Sequence, residues 1–276
     1  MTQAKRAFFG ILICAVFYGM TTVSVANAET GREILDRIHV LNAAERGWVD
    51  CKQEMAITIT DKRGNVRKRT LTLFTKKFPS DGEDARRTIV FFTAPEEVNG
   101  LGILQWSKPH GEDQQWLYLP ELKRIRQISG GAKADSFAGT HLSYEDFSII
   151  SQVADWSSSD AVASIVVEGN EESVSAAVID MVPTGKKVAY TKIRIKVRLV
   201  DSVIVRLQFF SELGVLKTVE LEDIRTLGTI PTTHKINVVD ERSRGHTEVV
   251  ISNVLYNRVL PDDMFSQRSL DQGLRK

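Results

Sequence analysis

Glu54-Met55-Ala56-Ile57-Thr58-Ile59-Thr60-Asp61-Lys62-Arg63-Gly64-Asn65-Val66, running on to Phe74, decides the fold class. Met55, Ile57 and Ile59 alternate with Glu54, Thr58 and Thr60. Successive side chains of a strand point to opposite faces, so this period of two gives one apolar and one polar face. Asp61 to Asn65 is a polar turn, and Val66 to Phe74 reads as the returning strand of a hairpin. Outward from this hairpin, Thr88 to Phe92, Leu101 to Trp106, Gln115 to Leu119 and Arg124 to Ile128 continue as short strands. Pro95, Asn99-Gly100, Pro109-His110-Gly111 and Pro120 separate them.

The second half repeats the pattern. Strands are expected at Ala161 to Glu168, Val174 to Val182, Tyr190 to Val200, Ile204 to Phe210, Val215 to Asp223, Thr233 to Asp240 and Thr247 to Tyr256. In the Tyr190 run, Ile193, Ile195 and Val197 share one face. Lys192, Arg194, Lys196 and Arg198 form a basic row on the other, read as a solvated face or as an anionic headgroup site. Upstream, Thr30-Gly31-Arg32-Glu33 has the spacing of a capping box. Ile34, Leu35, Ile38 and Leu41 then recur at helical spacing up to Gly47. Ser143 caps a second, short helix reaching Asp155. The short spacings favour antiparallel pairing over parallel crossovers. The expected fold is mostly β, with about a dozen strands and one or two helices in one domain.

At the N-terminus, Lys5 and Arg6 precede an apolar run from Ala7 to Met20, and Ala26-Asn27-Ala28 closes it. This is the pattern of a secretory signal peptide, with cleavage expected after Ala28. An uncleaved anchor is the alternative, but the apolar run falls short of the roughly 20 residues a spanning helix needs. Cys14 is preceded by Ile13, where a lipobox needs a small residue. The expected division is therefore a signal peptide at 1–28 and one domain at 29–276. The leader takes two of the 36 basic residues and none of the 35 acidic ones, leaving 34 against 35. Such balance gives no long-range attraction for nucleic acid. One cysteine, Cys51, remains and is expected to be buried and inert.

Motifs for catalysis are not found. The five histidines, His39, His110, His141, His234 and His246, show no metal-ligand spacing. There is no nucleophile elbow and no P-loop. No catalytic residue, metal or cofactor is expected. Phe91, Phe92, Trp106, Trp116, Tyr118 and Phe137 cluster on the central strands, either as core filling or as the lining of an apolar pocket.

One block goes beyond periodicity. Gln115-Trp116-Leu117-Tyr118-Leu119-Pro120-Glu121-Leu122-Lys123-Arg124-Ile125-Arg126 is followed by Ser136-Phe137-Ala138-Gly139-Thr140 and Leu142-Ser143-Tyr144-Glu145-Asp146-Phe147. Gly214-Val215-Leu216-Lys217 and Leu260-Pro261-Asp262-Asp263-Met264-Phe265 come later. In order and content these resemble the LolA-like family of outer membrane lipoprotein-sorting proteins, over nearly all of residues 29–276. His141 departs from the family, which often has an acid there. The resemblance implies an incomplete antiparallel β-barrel wrapped around an α-helical lid, with an apolar cavity between them. It implies a non-catalytic carrier in the periplasm of a Gram-negative bacterium. The implied partners are lipoprotein acyl chains or another lipid, membranes touched transiently, and an inner-membrane RND-type transporter. Phe92, Leu104, Trp106, Trp116, Tyr118, Phe137 and Tyr144 are the expected cavity lining, with the Phe137 to Tyr144 loop as gate. Two other readings stand beside the carrier: an accessory subunit of an envelope transporter, its cavity filled by its own side chains, and a periplasmic hydrolase. An open apolar cavity favours the first, a closed core the second, and converging Ser, His and acid side chains the third.

Overall fold

The structure, a computed structural model, describes residues 29–44, 46–82, 85–108, 112–166 and 175–273. The expected leader and His110 lie outside the described residues. Helix α1 (Gly31–Ala44) begins where the capping box places it. The Thr30 amide donates to Glu33 Oε2 at 2.6 Å, and the Glu33 amide donates to Thr30 Oγ1 at 3.2 Å. Two otherwise orphaned donors are thereby satisfied.

Six strands follow: β1 (Asp50–Thr60), β2 (Val66–Lys77), β3 (Arg86–Ala94), β4 (Gly102–Ser107), β5 (Gln114–Leu119) and β6 (Arg124–Ile128). A crossing segment carries helix α2 (Tyr144–Gln152). The chain then returns through β7 (Ala161–Val166), β8 (Ala176–Pro183), β9 (Lys192–Arg198), β10 (Val203–Ser211), β11 (Gly214–Leu227), β12 (Ile230–Asp240) and β13 (Gly245–Tyr256). The sheet order is β6-β5-β4-β3-β2-β1-β13-β12-β11-β10-β9-β8-β7. Every neighbour is a neighbour in sequence except β1 and β13, which zip the two meanders together. Strands β6 and β7 are the two edges, so the sheet is an open, incomplete barrel, as expected. The segment joining those edges, Ser129 to Asp160, spans the full width of the sheet and carries α2 across one face.

That covered face is the inner one. Ile34, Leu35 and Ile38 of α1 and Ile149 of α2 pack on Ile193, Ile195, Val197, Leu207, Phe209, Val219 and Val238. On the other half of the same face, Ile57, Leu71, Leu73, Val90, Phe92, Ile103, Leu117 and Val249 pack around Phe137 and Tyr144. The alternation of β9 holds: its isoleucines and valine face inward. Its basic row faces outward, where Lys192 and Arg194 pair with Asp180.

One element escapes the periodicity. After β13 the chain turns at Asp262–Phe265 and forms a short helix, α3 (Gln267–Gln272). This segment lies on the outer face of β2 to β5. Phe265 and Leu270 bury completely among Phe74, Ile89, Phe91, Leu104 and Trp116. Each contributes about 1.5–3 kcal/mol of burial. Gly102 makes room: a Cβ there would sit 2.7 Å from Leu270 Cδ1.

Candidate functional site

Between the inner face and the crossing segment lies a cavity of about 360 Å³, within the range of small-molecule sites. Its floor is the central hairpin and its neighbours: Cys51, Met55, Ile57, Leu71, Leu73, Val90, Val249 and Ile251. Its roof is Phe137, Leu142, Phe147 and Ile150. Antiparallel register puts these floor residues side by side, because Met55 opposes Leu71 and Ile251, and Ile57 opposes Val249. A second cavity of about 310 Å³ adjoins it, with Trp48, Arg86, Ile150, Ser151, Leu221 and Tyr256 in both walls. This outer part is polar and opens between α1, the end of α2 and the ends of β2 and β3.

The roof is held at both ends by charge. Ser143 caps α2 in a capping box with Asp146, the residue three on. Asp146 has no solvent exposure. Its Oδ2 accepts the Ser143 amide at 2.7 Å and the Lys217 ammonium, while its Oδ1 accepts the Tyr190 hydroxyl. Burial, together with the Asp146 carboxylate, pushes the Tyr190 phenol far above its ordinary range. The adjacent Glu145 carboxyl, raised by burial, accepts the Ala189 amide at 3.0 Å. From the other half of the sheet, Gln115 Nε2 donates to the Tyr144 carbonyl at 2.9 Å. At the far end, Asp155 takes the Arg86 guanidinium and lies 3.5 Å from His39 Nδ1. Arg86 Nη1 also donates to the Ser151 carbonyl at 2.8 Å. Burial alone would raise the Asp155 carboxyl, but His39 and Arg86 outweigh it and hold it below the usual carboxylate range. The acid of the Tyr144-Glu145-Asp146 motif and the lysine of Gly214-Val215-Leu216-Lys217 are thus one latch.

The expected lining divides by strand parity. Phe137 lines the cavity. Phe92 and Tyr144 share its inner-face core, their rings 6.1 and 5.7 Å from that of Phe137. Leu104, Trp106, Trp116 and Tyr118 are corrected: they lie on the outer face beneath the C-terminal segment. Trp106 Nε1 donates to the Phe265 carbonyl at 3.0 Å, and Trp106 meets Trp116 edge-on at 4.9 Å. The reason is that β4 and β5 are buried on both faces, so alternation does not mark the inward one. The inward residues there are Ile103, Gln105, Gln115 and Leu117. The cavity floor that the aromatic pattern missed had a signal of its own, the Met55-Ile57-Ile59 row opposite the polar row of β1.

Cys51 is buried in the floor, and burial pushes its thiol up to about 11. His141, at the departure from the family pattern, fits against the sheet. Its amide donates to Thr247 Oγ1 at 3.1 Å. A Cβ on Gly245 would lie 2.1 Å from His141 Nε2. Gly245 therefore serves a close approach.

A family model described as "Uncharacterized protein" matches residues 84–272. No curated protein matches the chain. Among solved structures, a domain described as outer membrane lipoprotein-sorting from Vibrio parahaemolyticus superposes with a TM-score of 0.77 at 23% identity. The match covers 87% of this chain and 98% of that one. A DUF1329 family protein from Desulfovibrio piger gives 0.77 at 24% identity, covering 87% and 97%. A LolA superfamily protein from Nitrosomonas europaea gives 0.65 at 17% identity, covering 88% and 100%. The fold is that of these proteins, which bears out the fold expected from the motifs.

Proposed function

We propose, from the premise that this chain belongs to the family whose model spans residues 84–272 and has the LolA-superfamily fold, that it is a periplasmic carrier. It buries the acyl chains of a lipoprotein or other lipid and moves them between envelope membranes without altering them. The observation that carries this reading is the apolar cavity between sheet and roof. Each methylene taken from water contributes about 0.8 kcal/mol, so about eight of them contribute about 6 kcal/mol before ordering costs. That suffices for extraction yet leaves release within reach of a competing partner. The neighbours' descriptions as lipoprotein-sorting and LolA superfamily proteins support the same class. The open cavity favours a carrier over a docking subunit with a self-filled core, whose partner would be an RND-type transporter.

Native mass spectrometry of the chain purified from envelope extract, without detergent, tests the reading. A stoichiometric lipid or acylated peptide is expected. The delipidated chain is then titrated with a brominated long-chain fatty acid. Quenching is expected from Trp48, which lines the cavity, and not from Trp106 or Trp116. A bare protein whose Trp48 emission stays unquenched at saturation refutes the carrier. Export is tested by N-terminal sequencing of the periplasmic chain, with Glu29 expected first.

A further inference from the structure

Two arginines of β2 share the inner face with the apolar floor of the cavity. Arg67 opposes Ile59 and Arg69 opposes Ile57 across the β1–β2 ladder, and both isoleucines belong to the inner-face core. Residues directly opposite each other lie on one face of the sheet. The two guanidinium groups therefore continue the row of Leu73 and Leu71 past the Phe137 end of the cavity. Arg69 is one step of about 7 Å along the strand from Leu71. The crossing segment passes over them at Gly139, between Phe137 and Thr140 of the cavity wall. A Cβ on Gly139 would stand 3.4 Å from Arg69 Nη2 and 3.7 Å from Arg67 Nη1. Among the described residues, and apart from the nearby backbone of its own segment, no other heavy atom comes within 4 Å of that point. Two cationic groups thus border one small gap.

The hydrogen bonds of this pair are incomplete. Arg69 is only 8% exposed, and its Nε and Nη1 are buried without an acceptor. Its ion pair with Glu97 is long. Oε1 stands 4.0 Å from Nη1, beyond hydrogen-bond reach, on a side chain that is 67% exposed. Arg67 is exposed, and its Nη2 meets the Gly139 carbonyl at 3.4 Å. Burial pushes the Arg69 guanidinium below its ordinary range; Glu97 opposes this and Arg67 adds to it. A buried donor left without an acceptor is costly, most of all on a charged group. An anionic oxygen in the gap gains charge-assisted hydrogen bonds from both side chains and relieves their repulsion.

We infer that Arg67 and Arg69 form an oxyanion site beneath Gly139, taking a phosphate or carboxylate whose oxygens accept from Arg67 Nη1 and Arg69 Nη2. The planar guanidinium fork matches the geometry of either group. The bound anion pins the crossing segment to β2 at the Phe137 end of the cavity. The site does not depend on the carrier reading. Its anion is either free in solution or the head of an amphiphile whose chain lies in the cavity.

The test follows thermal unfolding of residues 29–276 in sodium phosphate and in sodium chloride of equal ionic strength. Phosphate is expected to raise the melting temperature in a saturable way, and its concentration dependence gives the affinity. Arg67→Gln changes an exposed side chain, so the fold is expected to persist. It is expected to weaken phosphate about tenfold or more, the scale of a hydrogen bond to a charged group. Arg69→Met is expected to lose the response altogether, and Arg67→Gln carries the test should that variant fold poorly. The delipidated wild type and both variants are then titrated with a monoacyl glycerol phosphate and with the monoacyl glycerol of the same chain. A preference for the phosphorylated probe that the variants abolish assigns the anion to a lipid head. A response to inorganic phosphate without that preference assigns it to a free ion. A melting temperature that phosphate leaves unchanged, with equal affinity for the two lipids, overturns the site. So does a phosphate response or a lipid preference that survives both substitutions. Failure of both lipids to bind counts against the carrier and leaves a site that answers to phosphate standing.

Discussion

Replacing Asp146 with asparagine removes one negative charge from a position that solvent does not reach. The amide oxygen in the place of Oδ2 still accepts the Ser143 amide, and the amide NH2 in the place of Oδ1 donates to the Tyr190 hydroxyl oxygen, so the loss of charge falls on Lys217. That side chain is only 16% exposed and is left as a buried cation without its counter-ion. Breaking one partner of such a pair costs about 3–5 kcal/mol. For a domain of this size, 1 kcal/mol lowers the melting temperature by about 2–4 °C. Asp146→Asn is therefore expected to lower it by about 6–20 °C, read by thermal unfolding of residues 29–276. Adding Lys217→Met removes the stranded cation and is expected to recover a large part of the loss, since apolar replacement of a whole buried pair is often neutral. The single variant also loosens the roof, so dissociation of bound fatty acid is expected to accelerate. A melting temperature within about 2 °C of wild type, or no recovery in the double variant, refutes the latch.

Three further outcomes follow from the cavity and its rim. Cys51, with its thiol pushed up to about 11, is expected to react with iodoacetamide at about pH 8 roughly two hundredfold more slowly than an exposed cysteine of pKa about 8.5. Bound lipid is expected to slow it further, and a rate matching free cysteine refutes its placement. The Asp155 carboxyl is held below its ordinary 3.8, so its stabilisation is complete above that value and is lost as pH falls through the folded value. The urea midpoint is expected to drop on acidification below about pH 4, with a smaller drop in Asp155→Asn; equal drops count against the ion pair. Val249→Trp places an indole at a cavity-floor position that also borders the inner-face core. It is expected to abolish brominated fatty acid quenching while the circular dichroism spectrum is retained, and undiminished quenching places the ligand elsewhere.

How much was legible depended on what each segment touches. The two helix starts, the Thr30–Glu33 box and the Ser143 cap, are local devices and were readable as written; the Asp146 half of the second box came from the structure. The face of β9 was readable because one side meets water. For β4 and β5 it was not, because the C-terminal segment returns from more than 140 residues away to cover their outer side. Trp106, Trp116 and Tyr118 then look as inward as Ile103 and Leu117. The Asp146–Lys217 pair spans 71 positions, and no spacing rule reaches that far. Both residues stood in the quoted motifs, but their meeting is a property of the fold. Trp48 drew no notice because it falls between the helix expected to end at Gly47 and the first expected strand; it becomes a cavity wall only when α1 and β2 are brought together.

The single non-sequential pairing of the sheet governs how the chain reaches this state. Eleven of the twelve strand contacts are between consecutive strands and form with short loop closures. The twelfth, β1 with β13, joins Cys51 to Tyr256 and Thr60 to His246. Its closure entropy grows only slowly with length, yet it waits for nearly the whole chain. Until then β1, with Met55, Ile57 and Ile59 on one face, is an open apolar edge, the kind that templates aggregation. With local pairings favoured in rate, the two meanders are expected to assemble first and the seam between them to close last. A substitution that weakens the β1–β13 seam is therefore expected to show first as poor yield of folded protein, before any loss in the melting temperature of the molecules that fold.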